Sequence, residues 1–163
     1  VATETLMVAS TLDLTSTGQE FRKLPAHMTY ISWFKLPGEF REAFASRMEE
    51  VTTEHRAPRP MVGETERFGN EELGYASVHR LDSLTAGFNP IQDFYPQAIL
   101  SSFASSVDAD FNTQFFGVDW HPHMEYPNLN KGNELIFNNL TVFKKDELLG
   151  KKVVQAVYPW ERP

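Results

Sequence analysis

The stretch His27-Met28-Thr29-Tyr30-Ile31-Ser32-Trp33-Phe34 sets the architecture, because its first four residues look like a copy of His123-Met124-Glu125-Tyr126 in the second half of the chain, with three of the four identical. Each copy follows a proline-containing lead-in, Pro25-Ala26 in the first case and His121-Pro122 in the second. Each reads as a β-strand, in which residues two apart share a face. His27 and Thr29 then point one way and Met28 and Tyr30 the other. In the second copy His123 and Glu125 share a face, with Met124 and Tyr126 behind. The pattern predicts that the apolar members enter a core while the polar pairs face a cleft. Two histidines offered from related strands are the minimum kit for acid and base catalysis.

On either side of these segments the chain reads as alternating strands and helices. Glu4 to Leu14 is the first strand, broken by Thr15-Ser16-Thr17-Gly18. A short amphipathic piece, Phe21 to Leu24, leads into Pro25, and the strand His27 to Phe34 is ended by Pro37-Gly38. Residues 38–54 predict a helix, since Phe40, Phe44, Met48 and Val51 recur on one helical face while Glu39, Glu42, Glu49 and Glu50 lie outside it. That stripe reads as core packing. Pro58-Arg59-Pro60 forbids continuation. Strands follow at Met61 to Phe68 and Tyr75 to Leu81, with the turn placed at Gly69-Asn70 and Glu71-Glu72. A second helix is predicted over 90–107, then strands over Phe115 to Tyr126, Glu134 to Lys144 and Lys152 to Tyr158, the last two joined at Gly150. Helices interrupting a mostly antiparallel set of strands place the chain in the α+β class.

A chain of 163 residues with 41% hydrophobic content supports a single domain, 1–163, with a real core. There is no cysteine, which excludes disulfides, thiolate catalysis and cysteine-ligated zinc. The formal net charge of −7 argues against a grip on long nucleic acid, for which a basic stripe is usual. The basic doublets Lys144-Lys145 and Lys151-Lys152 do not amount to such a stripe, so a small nucleotide or an RNA end is the better-matched ligand. No signal peptide and no membrane-spanning run is read, and the expectation is a cytoplasmic monomer with no membrane partner. With Val1 in first place, the initiator methionine is expected to have been removed or to lie upstream. The glycine-rich phosphate loops of nucleotide enzymes are absent.

With these residues in view the chain resembles the 2H phosphoesterase superfamily, which includes 2′-5′ RNA ligase-like proteins and cyclic phosphodiesterases. The first family motif, P-x-H-x-T, matches Pro25-Ala26-His27-Met28-Thr29 as it stands. The second, aromatic-x-P-H-x-T, matches Trp120-His121-Pro122-His123-Met124-Glu125 except at its last position. Arg67-Phe68-Gly69 is similar to the Phe-Gly pair that the family carries between its motifs. Leu140-Thr141-Val142-Phe143, Gly150 and Val153 to Tyr158 are similar to its closing hairpin. The resemblance implies a bilobal, pseudo-symmetric fold with antiparallel sheets lining a central cleft and helices outside. It also implies hydrolysis of a cyclic nucleotide or 2′,3′-cyclic phosphate with no metal and no cofactor. His27 and His123 would be acid and base, and Thr29 would hold a phosphate oxygen. Arg67 is a candidate phosphate or base contact, with an exposed strand-end arginine as the plain alternative. Phe68 is a candidate base contact.

Glu125 departs from the pattern, because an ionised carboxylate has only acceptors and repels a phosphate. Three readings stay open at this point. Glu125 turns away and a backbone donor replaces it; or it sits beside His123 and favours the charged imidazole; or the second half-site is degenerate and the protein is a nucleotide- or RNA-end-binding module. His121 and His123 alternate to one face and would also suit a metal pair, but no carboxylate-histidine cluster of familiar zinc spacing accompanies them. His55 and His79 read as surface or packing residues. Tyr30, Tyr126 and Trp120 read as core rather than as stacking platforms for a base.

Overall fold

The computed structural model describes residues 3–54, 57, 59–71, 74–82, 123–124, 130–137, 139–146 and 148–160. The second predicted helix, and most of the predicted strand around His123, lie outside them. Among the described residues the chain forms strands β1 (Glu4–Thr11), β2 (Glu20–Phe21) and β3 (His27–Leu36), then a 3₁₀ turn (Gly38–Phe40) and helix α1 (Arg41–Glu54). Strands β4 (Met61–Asn70), β5 (Gly74–Asp82), β6 (His123–Met124), β7 (Asn139–Asp146) and β8 (Lys151–Pro159) follow. They make a five-stranded sheet in the order β2-β8-β7-β1-β3 and a three-stranded sheet in the order β4-β5-β6, with every described pairing antiparallel. The protein is α+β.

One hydrophobic core joins the two sheets and the helix. Leu6 and Val8 of β1, Met28, Tyr30 and Phe34 of β3, and Leu140 and Val142 of β7 meet Phe44, Met48 and Val51 of α1. Val62 of β4, Leu81 of β5 and Met124 of β6 enter the same cluster. The helix therefore buries the face that its periodicity marks, with Phe40 packed at the margin. The opposite face of the five-stranded sheet carries a smaller cluster of Met7, Ala9, Phe143 and Val154, against which Trp33, Phe21, Leu24 and Val157 pack.

Across the large sheet runs a polar relay. Ser10 Oγ donates to the Asn139 carbonyl at 2.9 Å, which leaves Tyr30 O–H as the donor to Ser10 Oγ at 3.0 Å. The relay ties β3, β1 and β7 together inside the core and satisfies two hydroxyls that burial would otherwise penalise. Burial pushes the Tyr30 phenol well above its ordinary range.

Two element boundaries differ from the sequence reading. Gly69 pairs with Tyr75 and Asn70 with Gly74, so the β4–β5 ladder extends two positions further along β4, to Asn70. Residues 134–137 alternate buried Leu135 and Phe137 with exposed Ile136, a strand-like pattern, yet this segment only flanks the edge of β4. Glu134 bridges Met61, and the Leu135 N–H donates to the Pro60 carbonyl at 2.9 Å. Strand β7 begins only at Asn139, where the chain meets β8. Gly150 adopts φ +65 in the β7–β8 turn, the left-handed conformation that costs glycine least.

Candidate functional site

His27 opens β3, directly after the Pro25-Ala26 lead-in. Register with β1 pairs Thr11 with His27, Ser10 with Met28 and Ala9 with Thr29. The Leu12 N–H donates to the Ala26 carbonyl at 3.3 Å and closes the end of that ladder. The imidazole is half-buried, and Nδ1 stands 2.7 Å from the Pro25 carbonyl oxygen. A carbonyl only accepts, so Nδ1 carries the hydrogen. The neutral ring then bears its lone pair at Nε2, the tautomer a general base needs when its second nitrogen is held by the backbone.

Thr29, also half-buried, places Oγ1 4.0 Å from Met7 Sδ. That contact fixes the face: Thr29 lies on the Met7 and Trp33 side of the sheet, opposite α1, while Met28 and Tyr30 are buried in the main core. The alternation predicted for the first segment is therefore observed, with the polar pair on one side and the apolar pair on the other. Met28 is fully buried, as is Met124 of the second segment.

Strand β6 pairs with β5, Met124 opposite His79 and His123 opposite Arg80. Strand β3 lies beside β6, so the two histidine-bearing strands are neighbours although they belong to different sheets. Their methionines, Met28 and Met124, share one core. Glu125, Tyr126, Trp120, His121 and His55 lie outside the described residues, as do the side chains of His123 and Phe68.

Arg67 is exposed on β4 opposite Ser77, which puts it two strands and three register positions from His123. Arg80 is the cation that the register sets beside His123, a residue that sequence reasoning passed over. The signal was weak: Val78-His79-Arg80-Leu81 shows the alternation of a strand but not which strand it meets. His79 is half-buried with Nδ1 buried and without a hydrogen-bond partner, which matches a packing role better than a surface one.

Near the open end of β4 the Lys131 ammonium donates to the Glu64 carboxylate. This hydrogen bond, then the Lys131 charge and to a smaller degree Arg80, hold the Glu64 carboxyl below its usual range. Among the described residues no group of three or more His, Asp or Glu side chains is arranged to hold a metal ion, and no helix is long and apolar enough to cross a membrane. Comparison with protein-family models and with curated proteins finds no match for this chain.

Proposed function

We propose that the protein is a metal-independent phosphodiesterase of the 2H type, a single two-lobed domain that hydrolyses a cyclic nucleotide or a 2′,3′-cyclic phosphate end. The observation that carries this reading is the adjacency of β3 and β6, which start with the same His-Met pair and send their methionines into one core. The hydrogen bond from His27 Nδ1 to the Pro25 carbonyl adds support by setting Nε2 as the basic nitrogen.

In this mechanism one imidazole takes a proton from the attacking water as its oxygen bonds to phosphorus. The phosphorus–oxygen bond to the ring breaks, and the other residue of the pair, as imidazolium, protonates the departing oxygen. Thr29 Oγ1 donates to a phosphate oxygen, and Arg80, opposite His123, supplies positive charge where Glu125 replaces the second hydroxyl. Arg67 and Phe68, further across the second sheet, fit contacts to the base rather than to the reacting phosphate.

Turnover of a 2′,3′-cyclic mononucleotide in EDTA tests the reading, with His27→Ala and His123→Ala each lowering the rate at least about 10²-fold in a folded protein. Equal activity in both variants overturns it, as does a pH profile that stays flat from about 5 to 9. Glu125 favours a second reading, a nucleotide- or RNA-end-binding module with weakened hydrolysis. Binding without turnover, and turnover restored by Glu125→Thr, would select the module.

A further inference from the structure

We propose that the cavity at the far end of β3 is a phosphate subsite for a short oligonucleotide whose reacting end lies at His27; this rests on the phosphodiesterase reading above. The cavity encloses about 620 Å³ where the ends of β1, β3 and β7 meet, and its lining includes Thr5, Lys35, Lys144, Lys145, Glu4 and Asp146. Three lysines from two strands, Lys35 of β3 with Lys144 and Lys145 of β7, are notable in a chain of net charge −7.

The two carboxylates among the described lining residues are already engaged. Glu4 is largely buried, accepts a hydrogen bond from Gln155 Nε2 at 2.8 Å, and faces Lys144 Nζ at 3.3 Å and Arg41 Nε at 3.5 Å. Asp146 Oδ1 accepts the Leu149 N–H at 3.2 Å and caps the β7–β8 turn. Among the described lining residues, Lys35, Lys144 and Lys145 accompany these two carboxylates. Lys145 also sits directly opposite Lys152 across β7 and β8, a like-charge pairing that destabilises a sheet and that a bound anion relieves.

The position of these lysines names the ligand. The Lys145 ammonium stands 4.8 Å from the centre of the Trp33 ring, and Trp33 packs on the Met7 side of the sheet, the side that carries Thr29. Lys35 alternates onto that side two residues further along β3, in register with Thr5. From Thr29 to Lys35 is six strand residues, or about 20 Å. A mononucleotide held at His27 does not cover that distance, whereas a short single strand does, with ammonium groups meeting its backbone as point charges.

The test uses the full chain and a labelled tetranucleotide ending in a 3′-phosphate, followed by fluorescence anisotropy against salt. Lys35→Ala with Lys145→Ala is expected to weaken binding at least about tenfold and to reduce the salt slope by about 1.4, while Lys131→Ala changes neither. Milder Lys35→Gln and Lys145→Gln variants are expected to move in the same direction and guard against misfolding. Unchanged affinity in these variants overturns the subsite. In kinetics the unmodified protein is expected to favour a cyclic-phosphate tetranucleotide over the mononucleotide in kcat/KM, and the double variant to lose only that advantage. If the unmodified protein hydrolyses neither, the phosphodiesterase reading fails, and anisotropy still decides whether the lysines hold the strand.

Discussion

Strands β3 and β6 begin with the same two residues, and their described contacts differ. β3 runs for ten residues, pairs along β1 from Leu36 to His27, and is pinned by the Tyr30–Ser10–Asn139 relay. Of β6, two residues are described, held by two register pairs with β5 and by the burial of Met124. The first segment is held by a ladder, a relay and an imidazole hydrogen-bonded to its own backbone. The described part of the second is held by its pairing with β5 and by Met124, seated in a core that other elements build. A duplicated motif need not have duplicated surroundings: the first copy runs within the larger sheet and the second pairs in the smaller one.

The contrast is tested most severely in the core. Met28→Ala and Met124→Ala each remove a fully buried side chain and are expected to cost about 2–5 kcal/mol in chemical denaturation. Turnover measured where both variants are folded should fall further for Met124→Ala. A larger fall for Met28→Ala would make β3 the strand on which turnover depends more. Next in size, His27→Asn keeps a polar side chain but removes the basic nitrogen, and is expected to lower turnover about 10²-fold with the melting temperature little changed. A rate close to that of the unmodified protein would mean that the well-supported histidine only packs.

Tyr30→Phe breaks the relay and is expected to cost about 1 kcal/mol near neutral pH. It also alters the alkaline limb. The folded state holds the Tyr30 proton past the point where the unfolded chain releases it, so this contribution is complete below about pH 10 and is lost as pH rises through the folded value. The Phe variant should lose stability less steeply between about pH 9 and 12 than the unmodified protein. A slope from Tyr158 remains, since partial burial raises that phenol as well. An equally steep limb in both proteins would show that Tyr30 does not report on the ladder. Smallest of all is Glu64→Gln, which should leave the melting temperature unchanged at any salt concentration, because its partner Lys131 and Glu64 itself are exposed. A measurable loss there would give the second sheet a source of support that the described residues do not display.

Local patterning made much of this legible from the residues alone. Strand alternation placed Met28, Tyr30 and Met124 in the core, and the Phe44-Met48-Val51 spacing identified the buried face of α1. What escaped depends on which strand meets which. Leu135 and Phe137 alternate like a strand, but their segment found the edge of β4 instead of joining β7. Arg80 gains its meaning only from sitting opposite His123. The lysine cavity draws on the beginning of β1 and the ends of β3 and β7, and no window of sequence contains all three. The basic doublets drew attention by composition, yet nothing local could say that Lys145 covers Trp33.

Among the described strands β3 stands at the margin of the larger sheet, and that placement carries one more consequence. A terminal strand offers backbone amides and carbonyls along its outer side, on which a foreign chain can build. Here that strand has β6, the outermost described strand of the smaller sheet, for company. A lesion that dislodges residues 123–124 would therefore do more than misplace a strand: it would uncover the fully buried Met124 and the core that it fills, a surface that favours self-association. Inactivating changes in this part of the molecule should arrive as turbidity as well as silence, and solubility becomes a reporter of whether the two sheets remain in touch.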